Sequence, residues 1–326
     1  MNVTEQIVNR RFNYLYYEDR AMLMHYSTLM LSLVAFLANG FVLFLARKIK
    51  LQWGGFSDQL ITYIAAVDLL NSVTMVVAFF GRLALGFPGV FRSNWYCRSV
   101  GLLLTVLPCY SMIMISFLAC ERFYVIKYRK SFDHLVCKTW IIMGGLMILL
   151  AVPSLMNAYQ NDYSPDPTFS YCWPNSIAPG VSWAYVQNMI LTVNFVEPIF
   201  VLVFCYVQVA FICMQPIRSA ISNINNPSIT SFQRQLASQR LSPRGARHSL
   251  IFVTFYVLCF GPKVMTTLFF MTGNGSNHPF FLYMINPLFI QLVVCINPIL
   301  LMFLSKNFRE NAIKTVNAYR RIEEPS

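Results

Sequence analysis

The sequence predicts an all-α membrane protein: a bundle of seven transmembrane helices with a short amphipathic helix at its C-terminal end. Three observations predict it. The 326 residues are 56% hydrophobic, 15% aromatic and only 12% charged, with a mean hydropathy of +0.53, where soluble proteins average about 25% charged. Seven apolar runs are each long enough to cross a bilayer, which takes roughly 20 residues. The basic residues collect between alternate runs rather than in one block. A net charge of +12 would suit a nucleic-acid binder only if it formed a basic domain. Scattered between apolar segments it does not, and nucleic acid is excluded as a partner.

The runs, in order, are Met24–Ala46, Leu60–Leu85, Ser99–Cys120, Thr139–Met156, Ala184–Met214, Ser249–Met271 and Phe280–Leu304. The expected organisation is an outer N-terminal segment, 1–23, a bundle over 24–304, and an inner helix and tail over 305–326. Met1–Leu23 is polar and mixed in charge, without the apolar stretch and cleavage site of a signal peptide, so Met24–Ala46 is expected to act as its own insertion signal. The loops after runs one, three and five and the C-terminal tail hold eighteen of the 25 lysines and arginines. That bias puts the N-terminus outside and the C-terminus in the cytosol. The triplets Asn2-Val3-Thr4 and Asn274-Gly275-Ser276 then lie outside, as glycosylation acceptors at Asn2 and Asn274 require. Seven of nine cysteines fall in runs or inner loops, where thiols stay reduced. Only Cys97 and Cys172 fall outside, and two cysteines in an oxidising compartment invite one bridge; two unpaired thiols are the alternative.

Ionisable groups within a span are costly and point to function. Asp68 lies midway along run two, and Lys263 interrupts run six. Asn39, Ser111 and Asn297 are small oxygen-bearing side chains near mid-depth of their own runs. Converging with Asp68 they would form a nest for a hard cation held by oxygen; a structural hydrogen-bonded anchor between helices is the other reading of Asp68. Pro108, Pro153, Pro198, Pro262 and Pro298 each sit inside a run. Each removes a backbone hydrogen bond and bends a helix, which suits a bundle that rearranges. Glu121 and Arg122 close run three, 25 residues after Cys97. At 1.5 Å per residue that is about 37 Å, a full membrane thickness, so the pair stands at the inner boundary. Taken alone, Arg122 could simply snorkel to the headgroups, as Lys127, Arg129 and Lys130 are expected to do.

From Asn39 to about Phe308 these residues resemble the rhodopsin-like G-protein-coupled receptors. Asn39 is similar to that family's span-one asparagine, Asp68 in "AAVDLL" to its span-two aspartate, and "WYC" ending at Cys97 to its outer-loop tryptophan and span-three cysteine. Glu121-Arg122-Phe123 resembles its acid-arginine-aromatic triplet, and Trp140 its span-four tryptophan. Pro198 with Tyr206 eight residues on resembles span five, Cys259, Phe260 and Pro262 in "YVLCFGP" span six, and Asn297-Pro298 span seven. The ordered set, one signature per span, carries the resemblance. Three positions depart from it: Phe260 replaces a tryptophan, Leu301 a tyrosine and Arg129 an inner-loop proline. The short loops and brief tail resemble the divergent chemosensory receptor families of nematodes.

The resemblance implies a receptor in the plasma membrane, in a sensory cell the ciliary membrane, that couples to a heterotrimeric G protein. It implies that Glu121 holds Arg122 at rest, that Tyr206, Phe260, Pro262, Asn297 and Pro298 take part in activation, and that span six swings out to admit the C-terminal helix of a Gα subunit. It implies allosteric sodium at Asp68, Ser111 and Asn297, with Asn39 in support. No other cofactor is implied. Ser305–Tyr319 would lie on the inner leaflet, Phe308 and Ile313 toward lipid tails and Lys306, Arg309 and Lys314 toward anionic headgroups. Five turns above Arg122 stands Leu104, where amine receptors of the family carry an aspartate, and Gln291 stands where opsins carry the retinal lysine. Amines and retinal are therefore not expected as ligands. Arg82 and Lys263, facing inward, would favour an acidic or strongly polar ligand walled by Leu104, Thr105, Phe260, Thr267 and Gln291, with Asn194 a further polar contact. The opposing reading pairs Lys263 with Glu197.

Other seven-span classes fit less well. A pump or channel should line a continuous polar path, and the mid-membrane charges are few and separate. A hydrolase needs a convergent nucleophile or metal set. None of His25, His134, His248 and His278 lies within a span beside another ligand, so no enzyme is expected. The runner-up is a neuropeptide receptor of the same fold, which Asp162 and Asp166 in the second outer loop leave open.

Overall fold

The computed structural model describes residues 3–48, 56–92, 94–128, 136–160, 163–165, 172–174, 196–212, 251, 253–265, 280–304, 309–310, 312–314 and 317, with side-chain detail in the first helix from residue 22 onward. Helices α1 (Val3–Lys48), α2 (Phe56–Arg92), α3 (Asn94–Tyr128) and α4 (Val136–Gln160) come first. A small hairpin follows, β1 (Tyr163–Pro165) and β2 (Cys172–Pro174). Then come α5 (Val196–Ile212), α6 (Val253–Met265) and α7 (Phe280–Leu304). Segments of α1 (Met22–Lys48), α2 (Phe56–Ala84), α3 (Trp95–Tyr128) and α7 (Ile285–Met302) are long and apolar enough to cross a membrane. Shorter apolar helices cover Gly144–Met156, Val196–Ile212 and Val253–Met265. Helix α7 has the bounds of the seventh apolar run, Phe280–Leu304, while 184–195 and 213–214 of run five and 249–250, 252 and 266–271 of run six lie outside the described residues. Helix α1 runs on through the polar N-terminal segment, so that only its second part is apolar. A sequence search for apolar runs cannot see such an extension.

Polarity is distributed inside out. Leu23, Leu37, Phe80, Ile148, Leu149, Phe200, Phe204 and Leu258 stand exposed, while Ser32, Asn39, Asp68, Ser72, Gln291 and Asn297 are each 0% exposed. That arrangement requires an apolar solvent around the helices. Hydroxyls on these helices bond back to the preceding turn, as Thr28 does to Met24 O (2.7 Å), Ser72 to Asp68 O (2.8 Å) and Ser154 to Leu150 O (3.0 Å). Such bonding satisfies a hydroxyl within its own helix.

Helix α3 is the most deeply buried of the four long apolar helices. It packs between α2 and α4, and α7 packs on α1 and α2. The main core joins Val42, Leu60, Met114, Leu118, Leu202, Tyr256, Val293 and Leu301. At Gly81 a Cβ would lie 2.6 Å from the Tyr96 ring, so α2 and α3 approach closely there because residue 81 lacks one. The Tyr96 hydroxyl donates to Ala78 O, which fixes the ring against α2.

The hairpin pairs β1 and β2 antiparallel, with Pro165 opposite Cys172, and sits against α3 and α2. Cys172 is bonded to Cys97 at the start of α3 (Cα–Cα 5.2 Å), which decides against two unpaired thiols. The prolines anticipated within spans lie in helices, and α7 carries a second one, Pro287, that the sequence reading did not single out. Pro298 has no N–H for the carbonyl of Val294, one turn back. Asn39 of α1 supplies the missing donor: its Nδ2 lies 3.1 Å from Val294 O and 2.9 Å from Ala35 O.

Candidate functional site

A run of buried polar side chains crosses the core between α2, α6 and α7. Asn297 donates from Nδ2 to Asp68 Oδ2 at 2.7 Å. Its Oδ1 accepts from the Tyr256 hydroxyl of α6, so one amide is used at both ends. All three residues are 0% exposed. Tyr256 stacks on Phe260 one turn later, with centroids 6.1 Å apart and planes at 10°. The sequence stretch "YVLCFGP" contains Tyr256, but nothing in the stretch marks its hydroxyl as the bridge to α7. Only a mid-span tyrosine with its polar end to satisfy could have signalled it.

Toward the other end of α3 stands Glu121, 5% exposed, with its Oε2 3.6 Å from Arg122 Nε. The two are sequence neighbours, and the side chain of Arg122 keeps 27% exposure. Tyr206 of α5 is buried near this pair. Hydrogen bonds join Tyr256, Asn297 and Asp68 into one chain across α6, α7 and α2. Phe123 meets Phe204 of α5 edge to face at 6.1 Å, and Lys127 lies 5.2 Å over the Phe123 ring.

A hard cation needs several oxygens. The Ser111 hydroxyl faces the Asp68 carboxyl; Asp68 Oδ1 and Ser111 Oγ are both buried and make no hydrogen bond of ordinary geometry, so this pair offers two of the oxygens an ion would need. Asn297 turns its nitrogen to Asp68 and its oxygen to Tyr256, and in this arrangement offers the ion nothing. Asn39 supports the site only through the α1–α7 contact. Among the described residues no group of three or more His, Cys, Asp or Glu side chains could hold a metal.

The expected ligand-facing residues divide. Arg82 meets the ring Nε2 of His25 on α1, a partner that the sequence reading did not give it. Gln291 is 0% exposed and accepts from the Ser32 hydroxyl at 3.2 Å, which turns its carbonyl toward α1. Thr105 is buried, and Leu104 packs against Ala78, Tyr96 and Val100. Lys263 is 3% exposed and lies within electrostatic reach of Cys109, whereas Glu197 is exposed on α5. Asn194, Thr267, Asn2, Asn274, Asp162 and Asp166 lie outside the described residues.

A family model described as the seven-transmembrane receptor, rhodopsin family, matches residues 38–301. The human N-arachidonyl glycine receptor is 24% identical over 269 residues, 79% of this chain and 73% of that one. The chicken melatonin receptor type 1A is 24% identical over 243 residues, 71% and 64% of the two chains. The mouse visual pigment-like receptor peropsin is 27% identical over 166 residues, 50% and 46%.

Proposed function

Because the chain belongs to the rhodopsin family of seven-transmembrane receptors, we propose that it senses a small extracellular chemical, acidic or polar, and activates a heterotrimeric G protein, as a chemosensory receptor. The observation that supports this best is the buried hydrogen-bonded chain of Asp68, Asn297 and Tyr256, which ties α2 to α7 and α6. Two packings of such a bundle would differ in these bonds, and a ligand shifts their populations by binding one packing more tightly. In the resting packing Glu121 holds Arg122. In the signalling packing Arg122 leaves Glu121, Tyr206 supports it, and the Gα helix occupies the space opened as α6 moves away. Seven crossings, with the N-terminus outside, put the bonded hairpin on the ligand side and Arg122 on the cytosolic side.

Buried Lys263 favours an acidic ligand, since a lysine ammonium within an apolar bundle gains most from an anion. A relative whose name denotes a receptor for an acylated glycine agrees with that choice. Gln291 has no amine to condense with an aldehyde, so the likeness to a visual pigment-like receptor carries no such chemistry over. Sodium at Asp68 and Ser111 would favour the resting packing, and Asp68→Asn is expected to remove any sodium dependence of basal exchange. The tail helix would lie on the inner leaflet with Ile313, which is exposed, toward lipid.

The test is nucleotide exchange on a panel of Gα subunits, with membranes carrying the chain or its Arg122→Ala form at equal surface amount. Each is challenged with pools of small acids, neutral volatiles and peptides. Exchange stimulated by the acid pool and lost in the variant is expected. Stimulation that survives in Arg122→Ala would overturn the latch, and a ligand-gated current in the same membranes would replace the receptor reading with a channel.

A further inference from the structure

Two thiols meet beside the latch. Cys120 is the residue before Glu121 on α3, and Cys205 is the residue before Tyr206 on α5; their sulfurs are 3.7 Å apart. Cys205 is buried, while Cys120 is the free cysteine that keeps partial exposure among the described residues. In a reducing cytosol the pair stays as two thiols, in contrast to Cys97 and Cys172, which are already bonded.

We propose that Cys120 and Cys205 are an oxidisable pair, which a peroxide converts to a disulfide that staples α3 to α5 and lowers coupling to the G protein. The Cys120 thiolate attacks one peroxide oxygen, the O–O bond breaks, and the leaving hydroxide takes up a proton as water. The Cys205 sulfur then attacks the sulfenic sulfur, forming the S–S bond as the S–O bond breaks, and the hydroxyl leaves with the Cys205 proton as a second water. Two thiols and one peroxide thus become one disulfide and two waters; the sulfurs lose two electrons and the peroxide oxygens gain them. The sulfurs must close by only ~1.7 Å to reach the ~2.05 Å of a disulfide. Exchange with a small thiol reverses the bond. The covalent step stands on the contact alone, whereas its effect on coupling rests on the receptor reading above. A staple one residue from both Glu121 and Tyr206 restrains the two groups between which Arg122 must pass to reach the signalling packing.

The test treats full-length protein in lipid nanodiscs with hydrogen peroxide, blocks remaining thiols by alkylation, and maps peptides without reduction. A joined peptide pair carrying Cys120 and Cys205 is expected, undone by a thiol reductant. In Cys205→Ser the pair should be replaced by a sulfenic acid at Cys120 that dimedone traps. Basal Gα exchange should fall severalfold on oxidation of the unmodified chain and stay constant in Cys120→Ser and Cys205→Ser. Separate alkylation of both cysteines, at peroxide that oxidises a free-thiol control, would overturn the pair. A joined pair with unchanged exchange would overturn its regulatory effect. Absence of exchange in every form, reduced protein included, would count against the receptor reading while the peptide map still decides the pair.

Discussion

Tyr256 is a residue whose smallest change should be informative. Its hydroxyl donates to Asn297 Oδ1, and its ring stacks on Phe260. Tyr256→Phe keeps the stacking and removes only the donor. A buried carbonyl left without its donor costs about 1–3 kcal/mol, and that cost falls on the packing in which the bond exists. Thermal stability of the purified protein should therefore drop by a few degrees and basal exchange should change, with the Phe260 packing intact. An unchanged melting temperature and unchanged exchange would mean that the hydroxyl bond does not distinguish the packings. Lys263 allows a second residue-scale prediction: Lys263→Gln should weaken an acidic agonist at least tenfold, about 1.4 kcal/mol, and leave a neutral agonist's potency unchanged. Asp68, Asn297, Glu121 and Arg122 are legible in the sequence because charge and amide groups stand out in apolar runs. Tyr256 is not, since a tyrosine in a membrane helix looks like one more aromatic until its hydroxyl is seen to reach the neighbouring helix. The His25–Arg82 contact is hidden for the same reason: it joins residues 57 positions apart on two helices.

At the scale of elements the packing of α2 on α3 depends on one missing methyl group. A Cβ at residue 81 would meet the Tyr96 ring at 2.6 Å, and that ring is tied to Ala78 O. Gly81→Val adds three carbons where no side chain fits. Overpacking of this kind costs typically about 1–3 kcal/mol, so the variant should melt several degrees lower and reach the cell surface in smaller amount. Gly144→Ala, where a Cβ would meet nothing within 4 Å, is the matched control and should leave both unchanged. The helices themselves are the most legible feature of the chain, because a bilayer demands long apolar runs and the runs announce themselves. The hairpin is not: β1 and β2 are three residues each, too short for any alternation to register. What pins the second strand is Cys172, and the position of that cysteine was readable from topology.

The whole molecule is sorted by solvent rather than by sequence distance. Apolar side chains face outward along α1, α2, α4 and α5, and the polar side chains meet inside around α3. The proposed orientation makes a direct prediction: in intact cells an epitope before residue 3 is labelled by external antibody, and one after residue 317 is labelled only once the membrane is opened. The reverse pattern would overturn the orientation read from the basic loops. The polarity of the interior was foreseeable from composition, whereas its connectivity was not, because no single run reveals which face of its helix meets which neighbour. The meeting of α1 and α7 carries a consequence for descent. A proline at 298 leaves the carbonyl of Val294 wanting, and the asparagine at 39 answers it from another helix. The asparagine is not free to drift while the proline stands, because losing it strands the carbonyl; losing the proline first restores a backbone N–H, which the carbonyl's second lone pair accepts beside the asparagine. A lineage that abandons this pair should therefore lose the proline before the asparagine, so that a proline at 298 without an asparagine at 39 should be the rare combination.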